Sequence, residues 1–160
     1  VMRVKNIVSD DFVNYKKPSM FVSTCFCNWK CCLENGMEIS VCQNSPLANM
    51  PVVDISNEEM ISVYDKSIFH SSVVFGGLEP FEQFAELYSF ICDFRKEHND
   101  DIVIYTGFNK EEISACIDRL KEFNNIIIKF GRYIPNSEKR FDNILGVTLA
   151  SLNQYAEKIS

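Results

Sequence analysis

Short apolar runs alternate with longer amphipathic segments along most of this chain. An uninterrupted apolar run of about 4–8 residues is typical of a strand that is buried on both faces of a sheet. Such runs predict four strands: Met20–Thr24, Ser71–Phe75, Ile102–Tyr105 and Asn125–Phe130. Leu145–Leu149 is a candidate fifth strand, and Val52–Ile55 a short strand or extended lead-in. Residues 1–19 are expected to form a loop or edge segment, and residues 153–159 a tail or helix.

Amphipathic segments lie between these strands. Ser56 and Glu59 have the spacing of a capping box, which predicts a helix that ends near Asp65. In residues 80–98 the apolar positions recur at intervals of three and four, and the same periodicity returns in residues 111–123. Both segments are therefore predicted to be amphipathic helices.

The alternation of strand and helix predicts an α/β fold with a mostly parallel sheet. We see no internal repeat and interpret residues 1–160 as a single domain. In such folds, ligands bind beyond the carboxyl ends of the strands. Those ends hold a cysteine-rich loop after Thr24, and then Gly76-Gly77, Thr106-Gly107 and Gly131. The sequence therefore predicts that glycines and cysteines meet on one rim of the sheet.

The composition is that of an ordinary globular protein, with 46% hydrophobic and 24% charged residues. No apolar run approaches the roughly 20 residues that span a bilayer, so we expect no membrane contact. The formal net charge is −6 and no block of lysine or arginine occurs, which argues against nucleic acid as a partner. Residues 1–5 are followed by polar residues, so we expect no signal peptide and a cytoplasmic location.

Five of the seven cysteines lie close together in the loop 25–42: Cys25, Cys27, Cys31, Cys32 and Cys42. In the cytoplasm, clustered cysteines more often bind metal or perform redox chemistry than form a disulfide knot. A structural zinc site usually takes four ligands as two short pairs, and this spacing does not supply the usual pairs. An iron–sulfur cluster with one open iron needs only three thiolates. From the residues alone, both kinds of site stay open.

Six segments occur in an order that is informative: Phe12-Val13-Asn14, Phe21–Cys25, Cys42-Gln43-Asn44, Val74–Pro80, Asp101–Phe108 and Leu149–Gln154. In that order they resemble the radical S-adenosylmethionine superfamily, and most closely the small activating proteins of anaerobic ribonucleotide reductases. The fourth segment is similar to the Gly-Gly-Glu-Pro element of that family, with Leu78 added. The family's usual Cys-x3-Cys-x2-Cys spacing is absent. Cys27 and Cys31 have its first interval, but Glu34 stands where the last cysteine belongs.

The resemblance implies a partial, open (β/α) barrel with helices on the outer face. It also implies a 4Fe-4S cluster on three cysteines, with S-adenosylmethionine bound to the open iron. One electron from a donor such as flavodoxin or ferredoxin would then release a 5′-deoxyadenosyl radical. That radical would install a glycyl radical on an anaerobic reductase. Two alternatives stay open: a radical enzyme with another small-molecule or peptide substrate, and an iron–sulfur or zinc module that does not cleave S-adenosylmethionine.

The same resemblance suggests the site residues, and no catalytic side chain is expected beyond the cluster. Cys25, Cys31 and Cys42 are the expected ligands, with Cys27 and Cys32 as alternates. The expected cofactor-binding residues are Gly76, Gly77, Glu79, Tyr105, Thr106 and Asn153. Glycines without side chains let backbone carbonyls approach the cofactor's ammonium group. Lys129 and Arg132 flank Gly131 and could meet the carboxylate of the cofactor, but a solvated charge is the default expectation for each.

Overall fold

The computed structural model describes residues 1–27, 33, 34, 36, 38 and 45–160. The strands are β1 (Met2–Asp11), β2 (Ser19–Thr24), β3 (Val53–Ile55), β4 (Ser72–Gly76), β5 (Asp101–Tyr105), β6 (Ile126–Phe130), β7 (Arg140–Asp142), β8 (Val147–Leu149) and β9 (Tyr155–Lys158). The α-helices are α1 (Ser45–Ala48), α2 (Asn57–Asp65), α3 (Phe84–Phe94) and α4 (Ser114–Leu120). Single 3-10 turns, Pro80–Gln83 and Lys110–Ile113, lead into α3 and α4.

A mixed sheet forms the centre of the molecule. Its seven strands follow the order β3-β1-β2-β4-β5-β6-β9, and β7 and β8 form a separate hairpin. The four central strands, β2, β4, β5 and β6, are parallel to one another, whereas β1, β3 and β9 are antiparallel additions at the two sides. The predicted α/β class and the parallel centre are therefore confirmed. Over the described residues the order begins and ends on different strands, so the sheet is open.

Both faces of the central strands are buried, as their continuous apolar sequences predict. Because side chains alternate along a strand, Val73 and Phe75 belong to one face and Val74 to the other. The first face packs against α3 and α4 through residues that include Phe90, Ile91, Leu120 and the aromatic pair Phe75–Phe90. The second face packs against Tyr15, Leu145 and Leu149. Over the described residues, it is loops and the β7-β8 hairpin that cover this second face.

Two terminal segments differ from expectation. Residues 1–19 contain the strand β1, which pairs with both β2 and β3, so this segment is more regular than a loop. The expected tail or helix at 153–159 is instead β9, paired antiparallel with β6. The carboxylate of Asp142 fixes β9, because its Oδ2 accepts a hydrogen bond from the amide of Ala156 at 2.9 Å. In the described part of the chain, no helix is long and apolar enough to cross a membrane.

Candidate metal centre

The carboxyl ends of β2, β4, β5 and β6 lie along one edge, since these four strands are parallel neighbours. Cys25 follows β2 directly, Gly77 follows β4, Thr106 follows β5 and Gly131 follows β6. We call this edge the rim. The predicted meeting of the first cysteine with the glycine turns is therefore present. Cys31, Cys32 and Cys42 lie outside the described residues.

Backbone hydrogen bonds join the start of the cysteine loop to the turn after β4. The amide of Leu78 donates to the carbonyl of Thr24 at 2.8 Å, and the amide of Glu79 donates to the carbonyl of Phe26 at 2.6 Å. The hydroxyl of Thr24 donates to the carbonyl of Gly76 at 3.0 Å. Cys25 is therefore held between two residues whose carbonyls are bonded to the glycine-containing turn. This pairing extends the β2–β4 ladder beyond the sheet.

Gly76 has a packing role in this turn. A Cβ atom at position 76 would lie 2.7 Å from Cζ of Phe21, so the glycine makes room for that aromatic ring. Its carbonyl, which the family resemblance implies should face a cofactor, accepts a hydrogen bond from the hydroxyl of Thr24. Gly77 follows at the rim, and the peptide bond between Gly77 and Leu78 is cis. Cofactor contact by Gly76 and Gly77 stays a prediction.

The described cysteines of the loop differ in exposure. Cys25 is buried, at 6% of its full exposure, and Cys27 is half-buried. Neither forms a disulfide with another described residue. Burial raises the pKa of the Cys25 thiol, an effect that Lys5 and Arg3 partly oppose. A bound metal deprotonates a coordinating thiol outright, so a soft, buried sulfur at this position fits an iron–sulfur cluster.

Glu79 is a buried carboxylate of the rim that accepts three hydrogen bonds. It is 5% exposed, and its Oε1 accepts hydrogen bonds from the hydroxyl of Thr106 at 2.7 Å and the amide of Gly107 at 2.8 Å. Its Oε2 accepts from the amide of Phe81 at 3.0 Å. Burial raises the pKa of Glu79, although these three hydrogen bonds and Lys129 act in the opposite direction. Glu79 therefore ties the end of β4 to the end of β5, and the predicted site residue Thr106 is one of its partners.

Lys129 and Arg132 are buried, so the expectation that they are solvated charges is wrong. They are 6% and 8% exposed, respectively. The ammonium of Lys129 donates to the carbonyl of Gly131 at 3.1 Å and lies 5.8 Å from the ring centroid of Tyr105. The guanidinium of Arg132 forms two parallel bonds of 2.7 Å with the carboxylate of Glu112. In the sequence, the position of Lys129 and Arg132 on either side of Gly131 was the only feature that drew attention to this pair.

Tyr105 and Asn153, two further predicted site residues, are both occupied by bonds within the protein. The hydroxyl of Tyr105 donates to the carbonyl of Asn14, and burial raises the pKa of this phenol. The Nδ2 of Asn153 donates to the carbonyl of Arg132 at 2.8 Å, and its Oδ1 accepts from the hydroxyl of Ser151 at 2.6 Å. The closing segment therefore holds the turn after β6 at the rim. Contact of either side chain with a cofactor stays a prediction.

We expect Gly131→Ala to destabilise this turn. The backbone at Gly131 has φ +102°, and a Cβ atom would lie 3.1 Å from the carbonyl oxygen of Asn153. The strain and the close contact should lower the free energy of unfolding by about 2 kcal/mol in urea titrations. Gly36→Ala is the matched control, because Gly36 also has positive φ, +62°, but a Cβ atom there would meet no atom of the described residues within 4 Å. Equal losses in the two variants would contradict the role of the Asn153 contact.

Comparison with known families identifies the class of this chain. Residues 16–153 match the family model described as a 4Fe-4S single cluster domain. Because the match spans most of the sequence, the chain belongs to this family. Cys25 and the glycine turns of the rim all lie inside the matched range. No curated protein and no solved structure matches the chain.

Proposed function

We propose that this protein is a radical S-adenosylmethionine enzyme. Three of the cysteines at 25, 27, 31, 32 and 42 would hold a 4Fe-4S cluster, with Cys25, Cys31 and Cys42 as the preferred set. When bound, the cluster would supply the electron that cleaves S-adenosylmethionine and releases a 5′-deoxyadenosyl radical. The proposal includes the partial (β/α) barrel, in which the four parallel strands form the inner wall.

One observation supports this function more than any other. The residues on either side of Cys25 accept backbone hydrogen bonds from Leu78 and Glu79, directly after the Gly76-Gly77 turn. The proposed ligand Cys25 and a glycine turn thus lie next to each other, in a chain that belongs to a family of single 4Fe-4S cluster domains. A turn without side chains lets the amino-acid end of a cofactor approach the backbone closely. S-adenosylmethionine has such an end.

The protein substrate in this proposal is a glycyl-radical enzyme, an anaerobic ribonucleotide reductase. The electron donor is a flavodoxin or a ferredoxin, and the setting is the cytoplasm. The support for this step is the order of the six sequence segments. Two of them, Val74–Pro80 and Leu149–Gln154, contribute Glu79 and Asn153 to the rim through the bonds described above. No nucleic acid and no membrane take part in the proposed reaction.

A second candidate function is a cluster-binding module without cleavage of S-adenosylmethionine. The bonding of Glu79 favours it, because both carboxylate oxygens already accept hydrogen bonds from the protein. The carbonyl of Gly76 is likewise bonded to Thr24. In this alternative the rim would be a structural support for the cluster loop, and the glycines would serve packing alone.

Anaerobic reconstitution with iron and sulfide tests the shared part of both candidates. We expect about four irons per chain, and stoichiometric zinc in place of iron would contradict both. The reduced protein should then convert S-adenosylmethionine to 5′-deoxyadenosine, measured by chromatography. An intact cluster without this product would favour the module. The activase step requires a glycyl-radical signal in the electron paramagnetic resonance spectrum of a co-incubated reductase. Its absence, despite 5′-deoxyadenosine formation, would favour another substrate.

A further inference from the structure

Arg132 is shared between two carboxylates that are far apart in sequence. Its Nη1 and Nη2 each lie 2.7 Å from an oxygen of Glu112, and its Nε lies 3.3 Å from Oε2 of Glu34. Glu112 belongs to the turn that leads into α4, whereas Glu34 belongs to the cysteine loop. A single buried guanidinium therefore connects the loop to the folded scaffold.

The scaffold side of this connection is firmly held. Oε1 of Glu112 also accepts a hydrogen bond from the amide of Asn109 at 2.9 Å, as part of a capping box. The main chain of Arg132 is fixed as well, because its carbonyl accepts from Asn153 at 2.8 Å. Bidentate arginine–carboxylate pairs fix orientation as well as distance. The guanidinium is thus oriented by contacts other than the one with Glu34.

The loop side is the weaker and more accessible part. The side chain of Glu34 is 56% exposed, whereas that of Arg132 is 10% exposed. Glu34 lies two residues after Cys32 and eight before Cys42 in the sequence. The start of the same loop is fixed to the turn after β4 through Leu78 and Glu79. A second fixed point inside the loop lowers the entropy that the loop loses when its thiols are brought together.

We propose that Arg132 is a positioning residue for the cluster: anchored on Glu112, it fixes the cysteine loop to the rim through Glu34. This inference rests on the proposed cluster site. It adds a role for two residues that are not cluster ligands. The Arg132–Glu34 pair holds the loop in the arrangement that binds iron, and its loss should make the thiols of the loop react faster with small reagents.

Glu34→Gln tests this role, since the amide keeps the size of the side chain and removes its charge. We expect reconstituted protein to lose iron to a chelator about threefold faster, the scale of a partly exposed ion pair. In metal-free protein, iodoacetamide should modify Cys31 and Cys32 faster by a similar factor, measured by mass spectrometry. The helix cysteine Cys116 is the internal reference and should react at an unchanged rate.

Controls separate positioning from general stability. Glu111→Gln changes the net charge equally beside Glu112 and should leave both rates unchanged. Glu34→Lys places a positive charge against Arg132 and should accelerate both reactions more than Glu34→Gln does. The melting temperature of both Glu34 variants should stay close to that of the wild type. In an Arg132→Gln background, Glu34→Gln should have no further effect. If the Arg132→Gln protein does not fold, the test of the positioning role is the graded response of the two Glu34 variants. Both rates should then increase more in Glu34→Lys than in Glu34→Gln.

The two readouts also separate this inference from the proposed function. If iron binds but neither rate responds to Glu34→Gln, the positioning role is wrong and the cluster function stands. If no iron binds, yet Cys31 and Cys32 react faster in both Glu34 variants, the loop attachment stands and the cluster function is wrong. Equal acceleration at Cys116 would show general loosening and would overturn the positioning role.

Discussion

Replacing Glu79 with alanine is expected to lower the free energy of unfolding by about 3 kcal/mol, because it leaves buried donors without an acceptor. The carboxylate accepts from the amides of Phe81 and Gly107 and from the hydroxyl of Thr106, all at 3.0 Å or less. These bonds join the ends of two parallel strands, so their loss should loosen the rim itself. Urea titrations followed by circular dichroism measure the change.

Glu82→Ala is the matched control for this prediction. Glu82 lies in the same 3-10 turn as Phe81 but is exposed, and its replacement should change the free energy of unfolding by less than about 0.5 kcal/mol. A loss for Glu79→Ala no larger than that of the control would show that the three hydrogen bonds contribute little. Iron binding should also weaken in Glu79→Ala, because a loosened rim would position the backbone of residue 79, which bonds to Phe26 in the cysteine loop, less firmly.

The raised pKa of Glu79 makes the stability of the protein depend on pH, and the direction of the shift determines the sign of that dependence. Burial raises this pKa in the folded state, so the folded protein binds the proton more tightly than the unfolded chain does. The contribution of Glu79 to stability is therefore fully present below the unfolded pKa of about 4.3. It is lost as the pH rises from there through the raised folded pKa. Glu79→Gln cannot titrate, so wild type should lose stability relative to this variant over the same interval. If the difference in free energy of unfolding between the two proteins did not change with pH, the raised pKa would be contradicted.

The central strands were predictable because their sequences are dominated by one physical requirement. β4, β5 and β6 are covered on both faces, so nearly every position is apolar and the pattern is continuous. Because the alternation of strand and helix predicts a parallel sheet, the sequence also predicts that the glycine turns and Cys25 lie on one rim. By contrast, β9 contains Glu157 and Lys158 and lies at the side of the sheet, where polar residues are tolerated. Nothing in its local pattern distinguishes it from a tail.

The bonding within the rim was less predictable, because it depends on partners that only the fold brings together. Arg132 alone suggests a solvated charge, since arginine is almost never fully buried without a partner. Its partners Glu112 and Glu34 lie on a different turn and in a different loop. The resemblance predicts Glu79 as a cofactor-binding residue, but its bonds to Thr106 and Gly107 depend on β4 and β5 being neighbours. Sequence therefore located the rim, and tertiary contacts determined what its charged groups do.

Cys25→Ala is expected to reduce reconstituted iron from about four per chain to almost none. A cluster that is held by three thiolates keeps only two when one ligand is removed. The backbone on both sides of Cys25 is fixed at the rim, through the bonds that Thr24 and Phe26 accept. Iron and sulfide analysis measures the loss, and circular dichroism establishes that the variant is folded.

Cys92→Ala and Cys116→Ala are the controls, because these cysteines lie in α3 and α4 rather than in the loop. Both variants should keep their iron. The same measurement on the other four loop cysteines then identifies the ligand set. Full loss in Cys31→Ala and Cys42→Ala, with iron retained in Cys27→Ala and Cys32→Ala, would match the preferred set. Full iron in Cys25→Ala would instead contradict a cluster site at the rim. The remaining loop cysteines would then hold the cluster without Cys25, the residue that joins the loop to the glycine turn.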